Sequence, residues 1–275
     1  LAVGCGREQT ASQQSLGTAP NNWPVTLLDA AAKGEAPSST PLKPLAGYPW
    51  LITLGKAGTG EDVATPPLGA TEPRPIVVAI HGAGDRPDWA CGGWRIGVEA
   101  YPFVVCPVGQ PMGNQRYGWA NAHAITTAIE RSLEALRTRF DGYCSSAPMV
   151  YVGFSQGAAL AARVLIDNAQ RFPTVVLAEG GYDFVSEFWF SRKFFEAGGR
   201  RVLLLCGTPG CFAAASRASK TMLRAGLKSI VAGDGKAGHN LNGLMQRAIR
   251  EHWSELVTDV VGWETYKEHR WPLVK

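Results

Sequence analysis

The apolar positions of the chain fall into short continuous runs separated by stretches with helical spacing. Ile76-Val77-Val78-Ala79-Ile80 is the strongest run. Five consecutive apolar residues describe a strand buried on both faces, as in a parallel sheet. Further runs follow at Phe103–Cys106, Met149–Gly153, Thr174–Ala178, Val202–Cys206 and Ser229–Val231. Between them, Ala122–Phe140 carries Ile125, Ile129, Leu133 and Leu136 on one helical face with charges opposite. Gln156–Asn168, Ala213–Ala225 and Asn242–Val257 also read as helices. Strand alternating with helix predicts βαβ units and an α/β fold, a mostly parallel central sheet flanked by helices on both faces. Upstream, Val25–Leu28 and Trp50–Leu54 read as short strands, and Lys33–Pro49 and Gly58–Pro75 as proline-containing loops. The chain shows no hairpin signals, no internal repeat and no composition break after Ile76. Residues 23–275 are therefore expected to form one domain.

Residues 1–22 read differently. Leu1-Ala2-Val3-Gly4-Cys5-Gly6 resembles the end of a bacterial lipoprotein signal, with a small residue before the cysteine. Arg7 to Asn22 is rich in Gln, Ser, Thr, Ala and Pro without apolar periodicity, as in a flexible tether. This predicts an extracytoplasmic domain, periplasmic or at the cell surface, with membrane attachment only through a lipid on Cys5.

Composition narrows the class. Hydrophobic residues make up 45% and charged residues 18%, which excludes a disordered or fibrous chain. A single chain of this length buries about 75% of its unfolded surface and needs no metal or disulfide to fold. Lys plus Arg is 27 against 23 Asp plus Glu, a net charge of +4 with no basic block, so nucleic acid is not an expected partner. The sequence has no run of 18 apolar residues, so no membrane-spanning helix is expected in it. The cysteines stand at 5, 91, 106, 144, 206 and 211, without CxxC or zinc-type spacing, so no structural metal is expected. Cys206 and Cys211 are close enough to bridge a short loop. Cys91 and Cys106 are candidates for a second pair.

Three loops carry chemistry. Gly153-Phe154-Ser155-Gln156-Gly157 lies between a strand and an Ala-rich helix, the context of a G-x-S-x-G nucleophile elbow. The turn is so sharp that side chains two residues to either side of the nucleophile collide, hence the glycines. Ser155 then sits at a helix N-terminus, where free N–H groups favour developing negative charge. His81-Gly82-Ala83-Gly84-Asp85 follows the Ile76–Ile80 strand. With such an elbow, one oxyanion donor is the N–H after the nucleophile, Gln156, and the other comes from this loop, with Ala83 the best match. His81 itself reads as structural. The base is expected after the last strand. Gly235-Lys236-Ala237-Gly238-His239-Asn240 occupies that place, while His123 and His252 fall in helices and His269 near the tail.

The order HGAGD, GFSQG, AGH resembles the α/β-hydrolase superfamily over roughly residues 76–257. The match is closest to the phospholipase/carboxylesterase group with the acyl-protein thioesterases, and to dienelactone-hydrolase-like and polyhydroxybutyrate-depolymerase-like esterases. That resemblance implies the α/β-hydrolase fold and a serine hydrolase of esters or thioesters that needs no cofactor and acts on a small-molecule ester. One element departs from it. The group usually carries an Asp after the seventh strand, but Gly207-Thr208-Pro209-Gly210-Cys211-Phe212 offers no carboxylate. Some relatives place the acid after the sixth strand, where this chain has Glu179 and, four residues on, Asp183. Glu179 at the strand end is the first choice and Asp183 the second. A catalytically inactive binding protein, or a peptidase or acyltransferase on the same triad, stays open as an alternative.

Specificity is expected from aromatic side chains in the loops on the catalytic face. Trp89 lies just after the oxyanion loop, Trp119 follows Tyr117-Gly118, and Trp189 follows the sixth strand. They are candidate substrate-binding residues, or else core aromatics that anchor long loops. Arg116 is a candidate for a substrate carboxylate or a solvated side chain.

Overall fold

A computed structural model of the chain describes residues 42–43, 45, 49–58, 60–185, 187–241 and 243–267. The expected strand at 25–28, the tether at 1–22 and Cys5 lie outside them. The strands are β1 (Ile52–Ala57), β2 (Gly60–Thr65), β3 (Ile76–Ile80), β4 (Phe103–Cys106), β5 (Gln110–Gly113), β6 (Arg116–Gly118), β7 (Val150–Phe154), β8 (Thr174–Ala178), β9 (Arg201–Cys206) and β10 (Lys228–Gly233). The helices are α1 (Pro87–Gly97), α2 (Ala122–Arg139), α3 (Gln156–Ala159), α4 (Ala161–Leu165), α5 (Tyr182–Val185), α6 (Phe188–Glu196), α7 (Pro209–Arg224) and α8 (Gly243–Val257).

The main sheet runs β1-β2-β4-β3-β7-β8-β9-β10. From β4 to β10 every pairing is parallel, whereas β2 pairs antiparallel with both β1 and β4. Alternation along β3 shows how the two faces fill. Ile76, Val78 and Ile80 pack into one core with side chains of α2, α4, α6 and α7. Val77 and Ala79 pack into the other with α1 and α8. All five residues of β3 are buried, the consequence of helices on both faces. The fold is thus the expected α/β arrangement, a parallel sheet with one antiparallel end.

Four expectations need correction. The stretch after Gly58 is not a loop throughout, because Gly60–Thr65 forms β2, the second strand of a hairpin with β1. Its signal was hidden by a buried charge. Asp62 is buried and accepts two bonds from Arg131 of α2, at 2.6 and 2.7 Å, and a third from the Val108 N–H at 2.8 Å. A second hairpin, β5–β6, stands apart from the main sheet. The helix expected over 156–168 is two short pieces, because the backbone at Leu160 tightens into a three-residue turn, with Arg163 N–H bonded to the Leu160 carbonyl at 3.2 Å. The helix expected from Ala213 begins at Pro209, since Thr208 caps it by accepting from the Cys211 N–H and proline is suited to a first helical position.

Candidate active site

The site forms at the carboxyl ends of β3, β7, β8, β9 and β10, where ligands bind in open α/β sheets. Ser155 stands between β7 and α3 with φ +50° and ψ −113°, a sparsely populated conformation that persists only where its surroundings enforce it. They do. Its N–H bonds the Ala178 carbonyl at 2.9 Å, and its carbonyl accepts from the Ala159 N–H at 2.8 Å. A side chain at Gly157 would collide with the Ile80 carbonyl, and one at Gly153 would stand 2.8 Å from the Ala158 nitrogen. The two glycines therefore let the elbow fold back against β3.

His239 lies in the loop after β10 and brings Nε2 to 2.9 Å from Ser155 Oγ. Its Nδ1 lies 3.2 Å from Glu179 Oε2. The ring is exposed while the carboxylate is buried, and the Phe154 ring packs 5.1 Å from the imidazole, centroid to centroid. Glu179 terminates β8 with φ +51°. Its other oxygen accepts from the Gly207 N–H at 2.6 Å and the Thr208 N–H at 3.0 Å, and the Thr208 hydroxyl reaches Oε2 at 3.1 Å. Two backbone donors and a hydroxyl compensate the burial of a carboxylate that burial alone would disfavour. The Gly238 N–H bonds the Gly207 carbonyl at 2.9 Å, which ties the histidine loop to the loop that holds the acid. Asp183 is exposed in the first turn of α5; the carboxylate brought to His239 is that of Glu179. Both carboxylates, together with burial, push the Tyr182 hydroxyl pKa up.

The loop His81–Asp85, the candidate oxyanion loop, abuts the Ser155 turn. A Cβ on Gly82 would stand 3.1 Å from that of Ser155 and 3.2 Å from the Phe154 ring, so a larger residue here would press on both. Ala83 is exposed next to it. Gln156 is the first residue of α3, and its N–H has no partner one turn back within the helix. The Gln156 side chain is held at both ends by the Trp119 backbone, accepting from its N–H at 2.8 Å and donating to its carbonyl at 2.9 Å. His81 is fully buried. Its Nε2 accepts from the Gly109 N–H at 3.1 Å, so Nδ1 carries the proton and donates to the Gly82 carbonyl at 2.8 Å. Burial lowers its pKa, against smaller opposing effects of the Gly82 bond and Asp85.

The three tryptophans separate. Trp119 is buried, donates its indole N–H to the His81 carbonyl at 3.0 Å and packs on the His81 ring; it anchors the loop after β3. Trp89 and Trp189 are about half exposed. Disulfides join Cys206 to Cys211 and Cys91 to Cys106; among the described residues this leaves Cys144 as a thiol, whose pKa burial pushes up to about 12. The Glu179 carboxylate and the sulfurs of Cys206 and Cys211 lie within 4.8 Å of one another. With those sulfurs joined, neither offers a thiolate to a metal. Sequence reasoning missed Thr208, whose only local signal was a threonine before proline at a helix start.

No protein-family model and no curated protein matches the chain. Solved structures do. An S-formylglutathione hydrolase from Agrobacterium tumefaciens is 13% identical with a TM-score of 0.55, over 80% of this chain and all of that one. The fluorophosphonate-binding serine hydrolase FphF of Staphylococcus aureus is 11% identical with a TM-score of 0.53, over 73% and 93%. A Bacillus cereus carboxylesterase is 15% identical with a TM-score of 0.50, over 72% and 95%. The chain has the α/β-hydrolase fold.

Proposed function

We propose that the chain is a serine hydrolase that cleaves carboxylic esters, thioesters included, through an acyl-enzyme on Ser155. The unbroken hydrogen-bonded sequence Glu179–His239–Ser155 carries this reading. As Oγ bonds to the substrate carbonyl carbon, His239 Nε2 takes its proton. The carbonyl oxygen gains the negative charge and rests on the N–H groups of Ala83 and Gln156. The imidazolium then protonates the departing alcohol or thiol, and the carbon–heteroatom bond breaks. Water repeats the sequence on the acyl-enzyme and frees the acid. Glu179 accepts a hydrogen bond from the Nδ1–H, fixing the tautomer and stabilising the imidazolium while remaining ionised. Its place beside His239 supports this reading over that of an inactive binding protein, whose motive was the missing acid after β9.

Ser155→Ala is expected to lose about 10⁴- to 10⁶-fold in kcat on p-nitrophenyl esters while folding normally. A fluorophosphonate probe should label the wild type at Ser155 by peptide mapping. A folded variant that keeps a tenth of the activity, or a probe mapped to another residue, overturns the reading.

We further propose that residues 23–275 act as one extracytoplasmic domain behind the 1–22 tether, held at a membrane by a lipid on Cys5. Two disulfides support an oxidising compartment. Among the described residues no helix is long and apolar enough to cross a membrane.

A further inference from the structure

The hairpin β5–β6 is fastened to the residues that follow the candidate oxyanion donor Ala83, and the chain leaving it holds the Gln156 side chain. The Gly84 N–H bonds the Tyr117 carbonyl and the Tyr117 N–H the Asp85 carbonyl, each at 2.9 Å. Two residues past Tyr117, Trp119 clasps the Gln156 side chain. Its tight turn runs through Gly113, Asn114 and Gln115, all at positive φ, and delivers Arg116 at the start of β6. Arg116 is exposed, yet it is not loose. Its Nη1 donates to the Gly84 carbonyl at 2.9 Å, and its guanidinium lies 4.4 Å over the ring of the half-exposed Trp89. Gly84 follows Ala83 directly, and consecutive Cα atoms are about 3.8 Å apart. The cation is therefore anchored to the residue that directly follows the candidate oxyanion donor Ala83.

The neighbouring charged side chains have other partners. Arg86, also over Trp89 at 5.5 Å, is paired with Asp88 through two bonds at 2.9 and 3.0 Å, and reaches Gln115. Asp85 turns a carboxylate oxygen to the Arg86 N–H. Among the described residues no carboxylate pairs with Arg116. A guanidinium with one N–H on a carbonyl has four further donors, and its fork matches a carboxylate. A guanidinium held on an aromatic plate has also lost much of the side-chain freedom that binding would otherwise remove.

We propose that Arg116, seated on Trp89, recognises a carboxylate on the substrate, so that the preferred esters are anionic. This rests on the serine-hydrolase reading above. The carboxylate belongs either to the acyl group or to the alcohol, and two substrate pairs separate these. Mono-p-nitrophenyl glutarate against p-nitrophenyl pentanoate places the charge on the acyl side. 3-Acetoxybenzoate against phenyl acetate places it on the alcohol side. For each pair the ratio of kcat/KM, anionic over neutral, is normalised to the hydroxide rates of the two esters. In one pair the wild type should favour the anion, and Arg116→Gln should lower the ratio about 10-fold, as expected for a lost charge-assisted bond. Arg116→Lys should retain part of it, and added salt should weaken it. Equal ratios in wild type and Arg116→Gln for both pairs, with Ser155 still labelled by a fluorophosphonate, overturn this proposal alone. Failure to hydrolyse any of the esters or to label Ser155 overturns the functional reading with it.

Discussion

At the scale of single residues, the acid is the position where local pattern and tertiary geometry had to be combined. Glu179 and Asp183 are four residues apart after the same strand, and both are plausible from sequence. What separates them is the positive φ at Glu179 and three donors from residues 207 and 208, almost 30 positions downstream. No local rule anticipates those. Ser155 was a candidate because glycines punctuate its turn, a backbone requirement written locally, and His239 because of its place after the last strand; the structure brings the two within hydrogen-bond distance. The geometry yields a ranking of variants. Glu179→Gln keeps the shape but removes the charge facing the imidazolium, so kcat should fall by about 10²- to 10⁴-fold, the upper figure being the loss in a well-studied triad. Asp183→Asn, exposed in α5, should change it less than threefold. Steady-state kinetics on one p-nitrophenyl ester decide the matter, and the reverse order would transfer the role to Asp183.

At the scale of elements, the strands of the parallel core were readable from continuous apolar runs. The edge was not, because β2 contains Asp62, whose burial is compensated by an arginine 69 residues away. The start of α7 was also missed, and here structure and site meet. Cys206 ends β9 and Cys211 lies in the first turn of α7, so their disulfide closes the turn whose Gly207 and Thr208 N–H groups hold Glu179. Closing so short a loop gives about 2 kcal/mol on the chain-entropy model. Loosening it should also let the carboxylate drift from His239. The double variant Cys206→Ser/Cys211→Ser is expected to lower kcat several-fold with KM nearly unchanged, beyond its loss of thermal stability. The matching pair Cys91→Ser/Cys106→Ser, which frees α1 from β4, should lower stability while kcat holds. If both pairs act on stability alone, the first disulfide has no positioning role.

At the scale of the whole molecule, the loop after β3, the candidate oxyanion loop, couples the site to folding through His81. This side chain is fully buried in the loop after the central strand β3, neutral, with both ring nitrogens bonded to backbone. Burial depresses its pKa below the ordinary value of 6.5. The unfolded chain, by contrast, takes up a proton near about pH 6.5. Between the two values the unfolded state binds more protons than the folded one, so stability rises with pH there. The contribution is fully present above about pH 6.5 and is lost as pH falls below it, by at most about 1.4 kcal/mol per pH unit for one group. Urea midpoints measured at pH 5.0 and 7.5 isolate this group by comparison with His81→Gln, which cannot titrate. The variant should be less stable at both values, since glutamine cannot reproduce the ring packing on Trp119. Its loss between pH 7.5 and 5.0 should nevertheless be smaller than that of the wild type. Equal losses would mean that the folded protein protonates His81 as readily as the unfolded chain does. The buried Gly109-to-His81 bond would then have to break without cost, which its geometry argues against.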